Sequence, residues 1–459
     1  MIVDMLLGRT FPKIYLLMGC SIIFYFSSCM HKKQNSMKQN TVTTLSHSSQ
    51  GHTLHHNRVF SKDGQWLVFD GRNDDTKIGE TSVIGTINVK TGEERTLYRT
   101  NNSTVYGPGV GAASFNPLTD RVVFIHGLLS ANESAPYAMT RRTGVAVDPN
   151  KPREPIFLDA RDVTAPYTPG SLRGGTHGHC WSADGHMLSY TYNDEIVEPD
   201  LRTVGVLIPS DSTVRVDTGK DNNEGCMYAA VVAAVVADPV PGSDEINKAF
   251  DECWIGENGY INDQGEHIPH AIAFQGNTLD DKGSVVTEIF IVNVDATKIR
   301  QDGRAVGEVG ERPHVPVGIE QRRLTRSKGL SDLRYWLRSS RDGRYIYALA
   351  KDDENRNQIV QCEVLTGELT FITANPFSIA SSFNLSADGT SIAFVADNNV
   401  FVFDLMVKET LQVTDNHIGD TKIVGTPSFS PDGTYLVFNQ FVAQEDGSQV
   451  VQILKAGLQ

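Results

Sequence analysis

Phe60-Ser61-Lys62-Asp63-Gly64, followed directly by Gln65-Trp66-Leu67-Val68-Phe69, is the stretch on which the reading of the fold turns. Asp-Gly between two apolar runs favours a tight turn in which the glycine takes a positive φ, so these ten residues read as one β-hairpin. The same phrase returns at Trp181-Ser182-Ala183-Asp184-Gly185 before Met187-Leu188-Ser189-Tyr190. Further copies stand at Ser340-Arg341-Asp342-Gly343, Ser386-Ala387-Asp388-Gly389 and Ser430-Pro431-Asp432-Gly433, with a degenerate one from Phe115 to Asp120. Several copies run on into a third strand that ends in a second turn, as at Thr91-Gly92 and Thr366-Gly367, and then a short fourth strand such as Arg95-Thr96-Leu97-Tyr98. Four antiparallel strands per repeat make the blade of an all-β propeller.

The last three turn glycines recur at a spacing typical of propeller blades, roughly 40 to 50 residues. The interval from Gly185 to Gly343 is too long for one compact blade. It is read as one blade with strands at 228–236, 270–275, 288–294 and 322–325, an insertion at about 237–269, and a helical segment around 243–254. Seven blades result, with six as the alternative count if the insertion-bearing region is not a true blade. The last blade offers only three strands, at 426–430, 435–440 and 449–454. Its fourth is expected from the N-terminal side, around 40–45, so that the two chain ends pair and close the ring.

A single propeller suits the composition: 459 residues, 40% apolar, 21% charged, with 40 glycines. The formal net charge of −14, without any cluster of Lys and Arg, argues against nucleic acid as a partner. Residues 1–28 read as a signal peptide: Arg9 and Lys13 precede an apolar run from Ile14 to Phe26, which ends at Ser27-Ser28-Cys29. The run is well short of the roughly 20 residues that span a bilayer. Small residues ahead of Cys29 resemble a lipoprotein processing site, so Cys29 is the expected lipidation site and a membrane the expected partner through that lipid. Met30 follows it, with no adjacent aspartate, and an outer-membrane position in the cell envelope is expected. Residues 29–38 form a polar tether and 39–459 the propeller. Cys180, Cys226, Cys253 and Cys362 are widely spaced and lack a CxxC pair, so free and mostly buried thiols are expected.

The repeats resemble the phrase of TolB-type propellers. The whole body looks like the bacterial YidR-like family, on the strength of Trp66-Leu67-Val68-Phe69-Asp70, Thr164-Ala165-Pro166-Tyr167-Thr168-Pro169-Gly170, Thr191-Tyr192-Asn193-Asp194, Pro241-Gly242-Ser243-Asp244-Glu245-Ile246-Asn247 and Gln321-Arg322-Arg323-Leu324-Thr325. The resemblance implies a propeller and carries over no assigned catalytic residue.

Chemistry in such a ring is expected where the inner strands converge on the central channel, just ahead of the Ser-x-Asp-Gly turns. Ser171 to Trp181 is the richest such segment. His177 and His179 lie two apart, so in a regular strand they share one face and offer half of a divalent-metal site. Arg173, beside Gly174-Gly175, is a candidate to grip a carboxylate or assist proton removal. His56, with His55 beside it, precedes Phe60-Ser61 as His177 precedes Trp181-Ser182, and His270 and His267 open a later strand near Glu257 and Glu266. The expected metal set is therefore His177, His179, His56 and His270, against the plainer reading that each histidine is a hydrogen-bonded structural residue. The recurrent Asp63, Asp184, Asp342, Asp388 and Asp432 are expected to serve their turns. No Gly-x-Ser-x-Gly, His-Glu-x-x-His or P-loop motif occurs. Two functions follow: an envelope-anchored propeller binding a small ligand, glycan or protein partner at the channel mouth, or a metal-dependent, lyase-like enzyme acting on acidic sugar oligomers.

Overall fold

The computed structural model describes residues 41–458, apart from Asp75, Asn102, Thr218, Ser327, Lys328, Asp332, Leu333 and Ile418. The expected signal peptide, the expected lipidation site at Cys29 and the expected tether lie outside the described residues. Seven antiparallel sheets follow one another along the chain, six of four strands and one of three. Blade one comprises Trp66–Asp70, Val83–Asn88 and Glu94–Arg99, with its innermost segment held by the single bridges Thr53↔Asp70 and Phe60↔Leu67. The inner strands of blades two to seven are Val110–Phe115, Gly174–Trp181, Lys248–Trp254, Arg338–Ser339, Asn384–Leu385 and Ile423–Phe429. Strand Val42–Thr44 pairs antiparallel with Gln449–Gly457, Val42 opposite Ala456, and supplies the fourth strand of blade seven. Pairing the two ends in this way covers a sheet edge that would otherwise be open.

The hairpin turns of five blades are held by the same small circuit. In blade five the Ser340 hydroxyl donates to Asp342 Oδ1 (2.6 Å), the Arg344 N–H donates to that oxygen (3.0 Å), and the Tyr345 N–H donates back to Ser340 Oγ (2.9 Å). Blades one, three, six and seven repeat the Ser-to-Asp bond at 2.5–2.7 Å. The glycine that follows has φ between +66° and +74° in all five, which explains Gly at that place. The hydrogen bonds hold these aspartates below their ordinary pKa, the response of a carboxylate fixed as an acceptor.

Apolar faces of neighbouring blades pack on one another. One cluster joins Val204, Val206 and Ile208 of blade three to Ile272, Phe274 and Phe290 of blade four; another joins Ala393 and Val395 of blade six to Leu436 and Phe438 of blade seven. Within blade three a side chain is missing where packing is tight: a Cβ on Gly205 would stand 2.5 Å from the ring of its cross-strand partner Tyr190, which is completely buried.

The insertion-bearing region differs from expectation. Gly225–Val231 is the outer strand of blade three, not the first strand of blade four. The segment expected to be helical contains Lys248–Trp254, the inner strand of blade four, and 237–269 is therefore not a simple insertion. The long excursion comes later, between Val285–Asn293 and Gln321–Arg323, and carries the helix Ala296–Gln301, capped by the Asp295 carboxylate on the N–H groups of Thr297 and Lys298. The charged pair Asp251-Glu252 disguises a strand that is otherwise mostly apolar, because both acids are buried only once the chain has folded. Of the four cysteines in the body, Cys180, Cys253 and Cys362 are buried and Cys226 is exposed; all four are free thiols.

Candidate functional site

The inner strands of blades two, three and four share an irregularity that aims side chains inward. In each the register slips by one residue, between Gly111 and Ser114, His177 and Cys180, and Phe250 and Cys253. Each slip contains a residue in the left-handed region, Ala112 at φ 57°, Gly178 at 69° and Asp251 at 52°. Such bulges re-aim side chains and are common beside functional sites. For Ala112 and Asp251, which bear a Cβ, the conformation costs energy that the fold must offset.

The bulge overturns the expectation that His177 and His179 share a face. Gly178 and His179 together oppose Tyr190, whereas His177 opposes Thr191. His179 Nε2 meets Thr176 Oγ1 of its own strand at 3.1 Å and turns toward blade two, standing 2.6 Å from where a Cβ on Gly144 would be. Neither ring nitrogen of His177 has a partner, nor has Nδ1 of His179. Burial, reinforced by Arg142 nearby, lowers the pKa of both, His179 to about 3, so both are neutral at physiological pH.

His55 and His56 arrive from blade one with ring centroids 4.0 Å apart. His56 stacks on the Trp336 ring at 3.8 Å, and Arg338 donates to the His56 carbonyl (2.8 Å) and approaches its Nδ1 (3.1 Å). A guanidinium can only donate, so His56 Nδ1 is an acceptor and its proton sits on Nε2, which is buried without a partner. His55 Nε2 is likewise unpartnered. Burial lowers the pKa of each well below the usual histidine value, with Arg338 adding to the effect.

Two further members come from blade four. By register, Glu252 occupies the place of His179 and Asp251 that of Gly178. Asp251 Oδ2 is buried without a hydrogen-bond partner among the described residues, and the buried Glu252 carboxylate faces the Ser189 hydroxyl. Burial raises Asp251 to about 6 against the pull of Arg334 and Arg202, and raises Glu252 to about 8. Near pH 7 one acid is therefore largely ionised and the other largely protonated, the condition of groups that can exchange protons with a bound molecule. Sequence reasoning missed this pair by placing it on a helix. The available signal was the recurrence of Cys-Trp at Cys180-Trp181 and Cys253-Trp254, which aligns the two inner strands. Trp254 also ties the strands together, its Nε1 donating to the Cys180 carbonyl at 2.9 Å.

Other expected residues lie elsewhere. Arg173 is fully buried, paired with Asp194 (3.0 Å), donating to the Glu311 carbonyl and lying over the Tyr167 ring at 4.3 Å. It fastens the long excursion of blade four to blade three, and its expected role in ligand binding or catalysis gives way to that tie. His270 Nε2 bonds Asp184 of the blade-three turn at 2.8 Å, and His267 Nε2 bonds the Asn258 carbonyl at 2.5 Å. His270 is thus removed from the expected metal set. Among the described residues no three of His, Cys, Asp or Glu come together in a way that could hold a metal ion, so the shared site of His177, His179, His56 and His270 is not formed.

Fold and site define a seven-bladed propeller with a buried, partner-poor cluster of polar side chains where blades one, three, four and five converge. The chain belongs to the YidR family of uncharacterised proteins: it is 34% identical over 425 residues to the uncharacterized protein YidR of Escherichia coli (strain K12), spanning 88% of this chain and 95% of that one. A family model described as a protein of unknown function (DUF3748) matches residues 109–223, which include blade two and the inner strand of blade three. The fold is similar to an oligogalacturonate lyase in complex with manganese, at a TM-score of 0.51 and 13% identity over 92% of this chain and 97% of that one. It is equally similar to the oligogalacturonate lyase of Vibrio parahaemolyticus, with a TM-score of 0.51 and 13% identity over 92% and 95% of the two chains. At that identity the likeness is one of fold.

Proposed function

We propose that this protein is an envelope-anchored propeller that binds an acidic glycan or a similarly polar small ligand in the chamber formed by His55, His56, His177, Asp251, Glu252 and Trp336. The observation that carries the reading is the set of buried polar atoms on His55, His56, His177 and Asp251 that have no hydrogen-bond partner among the described residues, with the buried Glu252 carboxylate beside them. Each such atom costs about 1–3 kcal/mol when left unsatisfied, a cost that a bound polar molecule removes. Trp336, half-buried and stacked on His56, offers an aromatic surface, while Arg142, Arg202 and Arg334 bias the chamber toward an anion. Titration calorimetry with trigalacturonate tests it: binding that His177→Ala and Glu252→Gln each weaken by at least about tenfold is expected, given the worth of a hydrogen bond to a buried group. Absence of heat with trigalacturonate and with neutral maltotriose alike would remove the reading.

A second reading, a metal-dependent lyase acting on acidic sugar oligomers, is favoured by the likeness to a manganese-bound oligogalacturonate lyase. The histidines do not assemble a metal centre, so no step is routed through an ion. What supports the reading in this chain is Glu252 and Asp251, whose pKa values near neutrality suit a proton donor and acceptor. Appearance of an unsaturated sugar product on incubation with trigalacturonate, with or without Mn²⁺, separates turnover from binding. The anchor is assigned to Cys29, and labelled palmitate is expected in the full chain but not in Cys29→Ser; labelling that persists in the variant refutes the assignment.

A further inference from the structure

The channel has a second opening, at the end where the Ser-x-Asp-Gly turns lie, and it is built differently from the chamber. The inner strands of blades six, seven, one and two end there around a cavity of about 360 Å³. Phe60, Phe115 and Phe429, from blades one, two and seven, contribute to its walls. The neutral polar groups of the wall are already engaged. Asn116 donates to the Gly185 carbonyl (2.8 Å) and accepts from the N–H groups of Leu118 and Thr119. Asn384 accepts from Arg338 (2.9 Å) and donates to the Pro427 carbonyl and Ser428 Oγ, each at 3.0 Å.

Two cations remain. Arg58 and Lys62 both line the cavity, and among the described residues neither side chain has a hydrogen bond or ion pair. Arg58 is exposed to water, yet protein crowds it closely enough to lower its pKa, so the channel surrounds the guanidinium without sealing it off. Its backbone is held at φ 45°, a strained conformation for a residue with a Cβ. The Phe115 N–H locks it there by donating to the Arg58 carbonyl at 2.8 Å. Glu257 stands at longer range and is already spent on Arg341 at 2.9 Å.

We propose that this cavity is a binding site for a small organic acid with an apolar body, its carboxylate gripped by Arg58 with help from Lys62 and its body seated among Phe60, Phe115 and Phe429. The volume falls in the range of small-molecule sites, and apolar walls with a few placed polar groups are their usual make-up. A guanidinium without a counter-ion supplies the orienting contact, because it pairs with a carboxylate through two parallel hydrogen bonds. The inference does not depend on the chamber reading, since no chamber residue proposed above lines this cavity.

The test compares phenylacetate with phenylacetamide on the full chain by titration calorimetry. Phenylacetate is expected to bind, the amide to bind at least about tenfold more weakly, and added salt to weaken the acid selectively, as a charge-assisted contact requires. Arg58→Gln is expected to abolish the preference for the acid, and Lys62→Gln, a substitution at an exposed residue, to reduce it. Should Arg58→Gln fail to fold, the acid-over-amide ratio and its salt dependence in the wild type, with Lys62→Gln, decide the matter. Equal binding of acid and amide, no binding of either, or a preference that survives Arg58→Gln would overturn the proposal.

Discussion

Glu252 is the residue whose behaviour the structure makes easiest to measure. Burial holds its folded pKa at about 8 against an ordinary value of 4.5. A group raised in the folded state stabilises fully below its unfolded pKa, and that contribution is lost as pH climbs toward the folded value. Between about 6.5 and 8 the folded histidines are neutral while the unfolded ones are still shedding protons, which raises stability with pH and opposes Glu252, so the Glu252 contribution is read as the difference between wild type and Glu252→Gln. Relative to that variant, wild-type stability should fall by up to roughly 1.4 kcal/mol per pH unit at the lower end of the window, where one proton separates the two states, and by less toward pH 8. Glu252→Gln, neutral at every pH and nearly isosteric, should gain stability relative to the wild type as pH rises; denaturant midpoints of the two proteins from pH 6.5 to 8 read the difference directly. A variant that tracks the wild type across the window would mean that Glu252 is ionised in the native chamber. His177, His179, His55 and His56 act in the opposite sense: their lowered pKa values withdraw stability as pH drops below about 6.5.

At the scale of elements, the hairpins were legible and the inner-strand bulges were not. Ser-x-Asp-Gly encodes its turn locally: the serine, the aspartate and two backbone N–H groups complete the circuit within six residues, and no distant partner is needed. A bulge is a different matter. His177-Gly178-His179 and Phe250-Asp251-Glu252 look nothing alike as strings, yet both slip the register at the same place against the second strand of their blade. Whether His177 and His179 share a face depends on that slip, which the pairing partner imposes. For the same reason Asp251-Glu252 read as a polar helical turn: charged pairs are rare in buried strands. His270 shows the converse. It opens a strand in a place that looks equivalent, yet its ring faces the Asp184 turn of the neighbouring blade, a contact made only once blades are stacked.

At the scale of the molecule, closure of the ring rests on three register pairs, Val42↔Ala456, Thr43↔Lys455 and Thr44↔Leu454, with Leu45 N–H donating to the Ile453 carbonyl at 2.8 Å. Deleting residues 42–45 leaves the edge of Gln449–Gly457 open, and an open edge recruits another chain. The variant should lose about 2–4 °C in Tm for each kcal/mol of lost pairing, the scale for domains somewhat smaller than this one, and should self-associate as concentration rises. Differential scanning calorimetry and light scattering check this; an unchanged Tm with monomeric scattering would show that the strand contributes nothing to closure. The amino-acid sequence by itself determined the repeat, the turn chemistry and the closing strand, because each depends on residues near one another in the chain or on an edge that must be covered; the tertiary structure settled seven blades over six by showing Lys248–Trp254 as the inner strand of blade four. Only the tertiary structure decided which polar groups meet at the channel. Arg173, promising as a string, is consumed by Asp194 and the excursion of blade four, whereas Arg58, unremarked, is left without a partner where four blades end. Whether a charge is spent or free is settled by the neighbours that other blades bring to it, and those neighbours lie up to several hundred residues away.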